Sequence, residues 1–228
     1  PDALTAHDII HYIQNPGVLA TEDFGRGKVQ LRQMLVSPDA PAVGQAIRDL
    51  LPPGSGVLAG SINRRGTSAI PRGDSVVESG DKITLLGTRD RFEALGGLFS
   101  SDAPAKKIAI LGATTIGRRI AEAFDDRQVE VKLFEKSPEL CEEAARQYYH
   151  VKMVNRDASA RASLEQEHIG GFDVFIATTE DDERNIMAGV LAREVGVRHV
   201  AAVVHQPDFA PLVVKLGVDV AITPRSAF

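Results

Sequence analysis

At 228 residues, 43% hydrophobic and 25% charged, the chain has apolar material for one or two cores and none of the bias of disordered or collagen-like sequences, so a soluble globular protein is expected. A net charge of −5 excludes the basic footprint that phosphate-backbone binding needs, so nucleic acid is not an expected partner. The single cysteine, Cys141, can close no internal disulfide and build no thiolate cage, which fits a reducing compartment, and no apolar run approaches the ~18 residues that span a bilayer.

In chain order, Leu4, Ile9, Ile10 and Ile13 mark a helix from about Thr5 that Asn15-Pro16-Gly17 stops. Val29 to Val36 reads as a strand, Val43 to Leu51 as a helix closed by Pro52-Pro53-Gly54, and Gly56 to Ile62 as a strand. Turns follow at Asn63-Arg64-Arg65-Gly66, Pro71-Arg72-Gly73-Asp74 and Ser79-Gly80-Asp81, the last leading into a strand from Lys82 to Leu86. Strands separated mostly by tight turns imply a small α+β domain. Ser100 to Ala105 is small, polar and proline-containing, and the domain boundary is expected there.

From Lys106 onward the pattern changes. Apolar runs at Ile108–Leu111, Val129–Phe134, Val151–Val154, Val174–Ala177, Val200–Val204 and Val220–Ile222 alternate with helical-period segments at 116–124, 138–147, 160–167, 181–194 and 208–216. Six strands in a βαβ series predict an α/β fold, a Rossmann-type doubly wound parallel sheet preceded by the small α+β domain. Pro138 and Pro211 sit where a first helical turn tolerates proline, and Gly196 and Gly217 where helices end.

The chemistry-bearing motif is Gly112-Ala113-Thr114-Thr115-Ile116-Gly117, which crosses from the first strand of this half into its helix. Gly112 permits the tight turn, Gly117 permits close helix–strand packing, and the helix start offers unpaired N–H groups to a pyrophosphate. The middle glycine of G-x-G-x-x-G is replaced by Thr114, whose side chain either obstructs the pyrophosphate or donates its hydroxyl to it. Glu135 ends the second strand, 18 positions after Gly117, where an acid accepts from both ribose hydroxyls and disfavours a 2′-phosphate. NAD(H) is therefore the expected cofactor, with ATP or ADP as the alternatives. Asp157, Thr178 and Thr179 follow the third and fourth strands at the same carboxyl edge, where they face a ligand or simply cap helices.

Other candidates carry less. His7 and His11 stand at i and i+4, but Asp8 replaces the general-base glutamate of a zinc helix and no third ligand is evident. Cys141 has Glu142 and Glu143 beside it, an environment that raises a thiol pKa. A dehydrogenase needs a second domain that presents substrate and a proton donor. The turn-rich N-terminal half supplies no such constellation, so a sensor is expected rather than an enzyme. The alternatives are an NAD-dependent oxidoreductase and an interaction module with a vestigial pocket.

Three stretches, Ile110 to Glu122, Asp173 to Met187 and Gly217 to Pro224, resemble the nucleotide-binding domain of the TrkA-like potassium-uptake regulators of the RCK (regulator of potassium conductance) family. The N-terminal half resembles that family's smaller domain, in Gly27-Lys28-Val29 and in Pro71 to Asp74 through Val77 to Asp81. The resemblance divides the chain into a crossover helix of a preceding nucleotide domain (1–20), a small C-type domain (21–100) and an N-type nucleotide-binding domain (106–228). Pro1-Asp2-Ala3-Leu4 and Pro224 to Phe228 have a similar style, and the chain reads as the middle fragment of a longer tandem repeat. The resemblance implies a cytoplasmic gating subunit, peripheral on the inner face of the cell membrane. It would self-associate into a ring beneath a Trk- or Ktr-type membrane potassium transporter. Gly112, Ala113, Thr114, Thr115, Ile116, Gly117, Glu135, Asp157, Thr179, Glu180 and His205 would contact the nucleotide, with His205 standing where many members carry an arginine.

Overall fold

The computed structural model describes residues 2–14, 17–25, 28–95, 97–100, 105–126 and 128–224. The expected Asn15-Pro16 helix stop, Gly27, most of the expected linker and the terminal Pro1 and 225–228 lie outside the described residues. The chain forms two compact units, one of residues 1–14 with 105–228 and one of residues 15–104.

The larger unit is a three-layer α/β structure. Its strands are β6 (Lys107–Leu111), β7 (Glu130–Phe134), β8 (Val151–Val154), β9 (Val174–Ala177), β10 (His199–Val203) and β11 (Val220–Ile222). All pair in parallel in the order β11-β10-β9-β6-β7-β8. That order reverses direction between β6 and β9, the switch point outside which doubly wound sheets bind ligands. β9 and β10 are buried throughout, because helices cover both faces of a parallel sheet; this is why they read as unbroken apolar runs.

The intervening helices are α4 (Thr115–Ala123), α5 (Pro138–Ala145), α6 (Arg161–Gln166), α7 (Asp182–Glu194) and α8 (Ala210–Lys215). Each boundary has a local cause. Ser137 caps α5 by accepting from Leu140 N–H with Pro138 in the first turn, and Asp181 caps α7 by accepting from Arg184 N–H. α7 ends at Gly196, whose φ of +112° suits the left-handed turn that closes a helix. A short 3₁₀ turn at Pro207–Phe209 takes the start of the expected 208–216 segment, and another, Ile169–Gly171, follows the expected 160–167 segment. The core runs through Leu111, Phe134, Leu164, Phe175, Ala188, Val200 and Val213. Helix α1 (Asp2–Gln14) also belongs to this unit, burying Thr5, Ala6, Ile9, Tyr12 and Ile13 and packing on α4. It starts three residues before the expected Thr5, with Asp2 placing an acid in the first turn.

The smaller unit is an antiparallel sheet in the order β1-β2-β5-β3-β4. Its strands are β1 (Val18–Phe24), β2 (Val29–Leu35), β3 (Val57–Arg64), β4 (Thr67–Ala69) and β5 (Lys82–Gly87), joined by α2 (Ile47–Leu50) and α3 (Arg89–Leu95). Its core gathers Val36, Ile47, Leu50, Val77, Ile83, Leu85, Phe92 and Phe99.

The sequence reading of this unit needs correction. The helix expected over Val43–Leu51 shrinks to α2, because neighbouring backbone groups bond elsewhere. Gly44, Ile47 and Arg48 N–H donate to Val77, Ser75 and Gly73 carbonyls, and Ala46 bridges Val76. Strands β1 and β4 and helix α3 were not expected. β1 carries Thr21, Glu22 and Asp23 and becomes a strand through pairing with β2. The expected turn at Asn63–Gly66 tightens to Arg65-Gly66, both at positive φ, the hallmark of a two-residue hairpin.

Candidate functional site

The site is built on the carboxyl edge of the parallel sheet, beginning with the turn between β6 and α4. Gly112 has a φ of +100°, a conformation that L side chains rarely adopt. A Cβ on Gly117 would lie 2.0 Å from the Gly112 carbonyl oxygen and 2.8 Å from Thr178 Oγ1, so helix and turn meet at bare backbone. Thr114 has a φ of −68°, which any residue adopts, and glycine is not required there for conformation.

The Thr114 hydroxyl faces the protein. It donates to the Thr178 carbonyl at 2.8 Å and accepts from Gly117 N–H at 3.2 Å, capping α4 and joining the glycine turn to the end of β9. Thr178 strengthens that seam with its own hydroxyl, 2.9 Å from the Leu111 carbonyl. The N–H groups of Thr115 and Ile116, which have no intrahelical acceptor so near the helix start, meet no acceptor among the described residues.

Glu135, buried at the end of β7, reaches the same turn. Its Oε2 accepts from Ala113 N–H at 2.9 Å, and its Oε1 from Ser137 N–H at 2.9 Å. Asn155 Nδ2 donates to the Glu135 carbonyl at 3.0 Å and holds the loop beneath it. Arg118 Nε donates to the Ala113 carbonyl at 3.0 Å while Nη1 pairs with Glu143 at 2.8 Å. The carboxylate is thus fixed beside the glycine turn, with lone pairs left over on each oxygen.

Asp157 follows β8. Its Oδ1 accepts from Ser159 N–H at 2.9 Å, Ser159 Oγ at 2.6 Å and Arg184 Nη2 at 2.8 Å. Burial opposes its ionisation, but the hydrogen bonds from Ser159 and Arg184 outweigh that and hold the carboxyl at about 2. Thr179 is tied inward: its N–H and hydroxyl both donate to Asn185 Oδ1, and Asn185 Nδ2 donates to the Thr179 and Val203 carbonyls.

His205 and Glu180 meet at the other end of the edge. Asp182 accepts from His205 N–H at 2.8 Å, from Gln206 N–H at 2.9 Å and from His205 Nδ1 at 2.8 Å. An ionised carboxylate only accepts, so Nδ1 carries the proton. Burial works against the charge on Asp182, yet the backbone N–H groups of His205 and Gln206 and the imidazole keep its carboxyl below the usual range. His205 Nε2 lies 3.5 Å from Glu180 Oε2. A recess of about 230 Å³ opens there, lined by Glu180, Asp181, Asp182, Glu183, His205, Gln206 and Phe209.

The fold thus joins Ala113 to Glu135 and Thr114 to Thr178, and places Glu180 beside His205 at the mouth of β9 and β10. Arg184, Asn185 and Asp182 were not singled out from the sequence. The signal available was Asp181 as a cap three residues before Arg184, which marks a helix start at a sheet edge. Cys141 is buried, and burial first, then Glu135 and Glu142, push its thiol up. Among the described residues, no helix is long and apolar enough to cross a membrane.

Comparison with known proteins places these residues in a context. Residues 108–224 match the TrkA-N domain and residues 31–100 the TrkA-C domain. The chain is 35% identical over 226 residues to a Trk system potassium uptake protein TrkA homolog of Archaeoglobus fulgidus, covering 99% of this chain and 51% of that protein. It is 30% identical over 230 residues to the Trk system potassium uptake protein TrkA of Halomonas elongata, covering all of this chain and 50% of that protein. The chain spans about half the length of the curated relatives it matches. Among solved structures, the RCK domain of GsuK superposes with a TM-score of 0.62 at 23% identity, over 96% of this chain and 48% of that one. A GsuK channel bound to NAD gives 0.61 at 22%, over 96% and 40%.

Proposed function

Because this chain belongs to the TrkA family, with a TrkA-C domain followed by a TrkA-N domain, we propose that it is a nucleotide-sensing regulatory part of a membrane potassium-uptake system. Its nucleotide is NAD(H), with ATP or ADP as the alternatives, and it is bound without chemistry at the carboxyl edge of the β6–β9 sheet. The reading rests on one observation above all. The glycine turn presents the N–H groups of Thr115 and Ile116 beside a buried Glu135 carboxylate already fastened to Ala113 N–H. Anion donors and a ribose acceptor side by side suit the pyrophosphate and ribose of one nucleotide.

In this reading the pyrophosphate takes Thr115 and Ile116 N–H, since Ala113 N–H serves Glu135 and the Thr114 hydroxyl serves the sheet. Asp157, Thr179, Glu180 and His205 line the rest of the edge. The protein works on the cytoplasmic side of the membrane, self-associates into a ring and acts on a Trk- or Ktr-type transporter. Such a switch operates only if the nucleotide binds one arrangement of the ring more tightly. A differential affinity of about 100-fold supplies roughly 2.7 kcal/mol, enough to redistribute two states of similar stability.

Calorimetric titration with NAD+, NADH, ADP and ATP tests the reading. We expect saturable binding of at least one, weakened about tenfold or more by Glu135→Ala, which removes charge-assisted hydrogen bonds to the ribose. Absence of binding by all four sinks it. A second reading, an interaction module with a vestigial pocket, is favoured by the internal partners that Thr114 and Glu135 already have, and it predicts that null result.

A further inference from the structure

The Asp157 carboxylate is used asymmetrically. Three donors, Ser159 N–H, Ser159 Oγ and Arg184 Nη2, converge on Oδ1, while Oδ2 accepts from none of the described residues and the side chain remains 45% exposed. Neighbouring Ala158 is fully buried among Leu111, Phe134 and Ala177, so the loop carrying Asp157 is anchored in the core. Arg184 is itself largely buried, with 16% of its side chain exposed, and projects from the first turn of α7, whose cap is Asp181. The guanidinium therefore joins the loop after β8 to the helix after β9 and fixes which carboxylate oxygen faces outward.

Strand order says what that oxygen meets. The glycine turn follows β6, Glu135 follows β7 and Asp157 follows β8, three consecutive positions toward one edge of the sheet. A nucleotide with its phosphates on the turn and its ribose on Glu135 extends its base toward Asp157. An ionised carboxylate oxygen accepts hydrogen bonds and cannot donate them. It matches a base that presents an amino group and opposes one that presents a carbonyl there.

We infer that Arg184 is a positioning residue for base selection: it locks Asp157 Oδ1 so that Oδ2 accepts from the exocyclic amino group of adenine and rejects 6-oxopurines. The inference rests on the reading above, in which the ligand is an adenine nucleotide, and adds to it the residue that enforces the choice of base. Lysine at 184 would keep the charge without the planar fork that sets the carboxylate's orientation.

The experiment titrates the full chain with ADP and with IDP, which differ at the 6-position of the purine. ADP is expected to bind about tenfold or more tightly, the range of a charge-assisted hydrogen bond gained against one refused. In Arg184→Met the ratio is expected to fall to about twofold or less with ADP binding retained, and Arg184→Lys should recover part of it. A residue serving the fold alone would weaken both nucleotides together and leave their ratio unchanged. Should Arg184→Met fail to fold, Arg184→Lys carries the same comparison, with an intermediate ratio expected. Equal binding of ADP and IDP by the unaltered chain, or an undiminished ratio in whichever variant is measured, overturns the base-selection role while leaving nucleotide binding intact. Failure of ADP and IDP to bind at all overturns this inference, and failure extended to NAD+, NADH and ATP overturns the functional reading too.

Discussion

Gly117 and Asp157 illustrate how much a single residue carries at this edge. A methyl at Gly117 meets the Gly112 carbonyl at 2.0 Å, and backbone cannot yield as a flexible side chain can. Gly117→Ala is expected to cost about 3 kcal/mol in urea unfolding. Gly171→Ala, where an added Cβ meets nothing within 4 Å, should be close to neutral and serves as the control. Asp157, held at about 2, has a folded pKa below its unfolded value near ~3.9. Its contribution is therefore complete above about pH 4 and is lost as the pH falls through about 2. The side chain is 45% exposed, so solvent screening reduces the expected contribution to about 1 kcal/mol. Stability measured from pH 5 to pH 2 should fall less steeply in Asp157→Asn, and an unchanged slope would contradict the assignment.

At the scale of elements, helix α7 organises half of the site from its first turn. Asp181 caps it, Asp182 holds the backbone of His205 and Gln206, Arg184 holds Asp157, and Asn185 ties Thr179 to Val203. Asn185 is fully buried. Asn185→Ala would leave the Thr179 N–H and the Val203 carbonyl without partners in a water-free setting, and a loss of about 3 kcal/mol is expected. Calorimetric or urea unfolding measures it, and a loss below about 1 kcal/mol would show that the amide bridge is dispensable. The same logic explains the shortness of α2. Its flanking N–H groups serve the 73–77 segment, and a helix cannot extend through donors already committed elsewhere.

At the scale of the molecule, the chain has two units with separate cores. The residues of the candidate site all lie in the Rossmann unit. Ligand at about 100 times its dissociation constant stabilises that unit by about 2.7 kcal/mol. Hydrogen exchange with and without saturating NAD+ should accordingly slow at the amides of Thr115 and Ile116 and along β6 and β9. Unchanged exchange there would count against occupancy of this edge.

The Rossmann half was legible in the sequence because its central strands β9 and β10 are buried on both faces and read as apolar runs, and its other strands are short apolar-rich runs spaced by helical-period segments. β8, β9 and β11 have the bounds expected of them. The glycine turn was legible for a related reason: Gly112 and Gly117 stand where a positive φ and a backbone-to-backbone approach admit no side chain. The small domain was less so. β1 is polar for three consecutive residues and owes its strand to β2, while α2 is cut short by a segment remote in sequence. What only the tertiary structure decided is the orientation of polar groups. The Thr114 hydroxyl turns to Thr178, Glu135 turns to Ala113, and Arg184 selects one oxygen of Asp157. Composition and spacing establish that such groups are present at the edge of a sheet. Which atom each one faces depends on partners brought near by the packing of strands and helices, since hydrogen bonds are directional and hydrophobic periodicity is not.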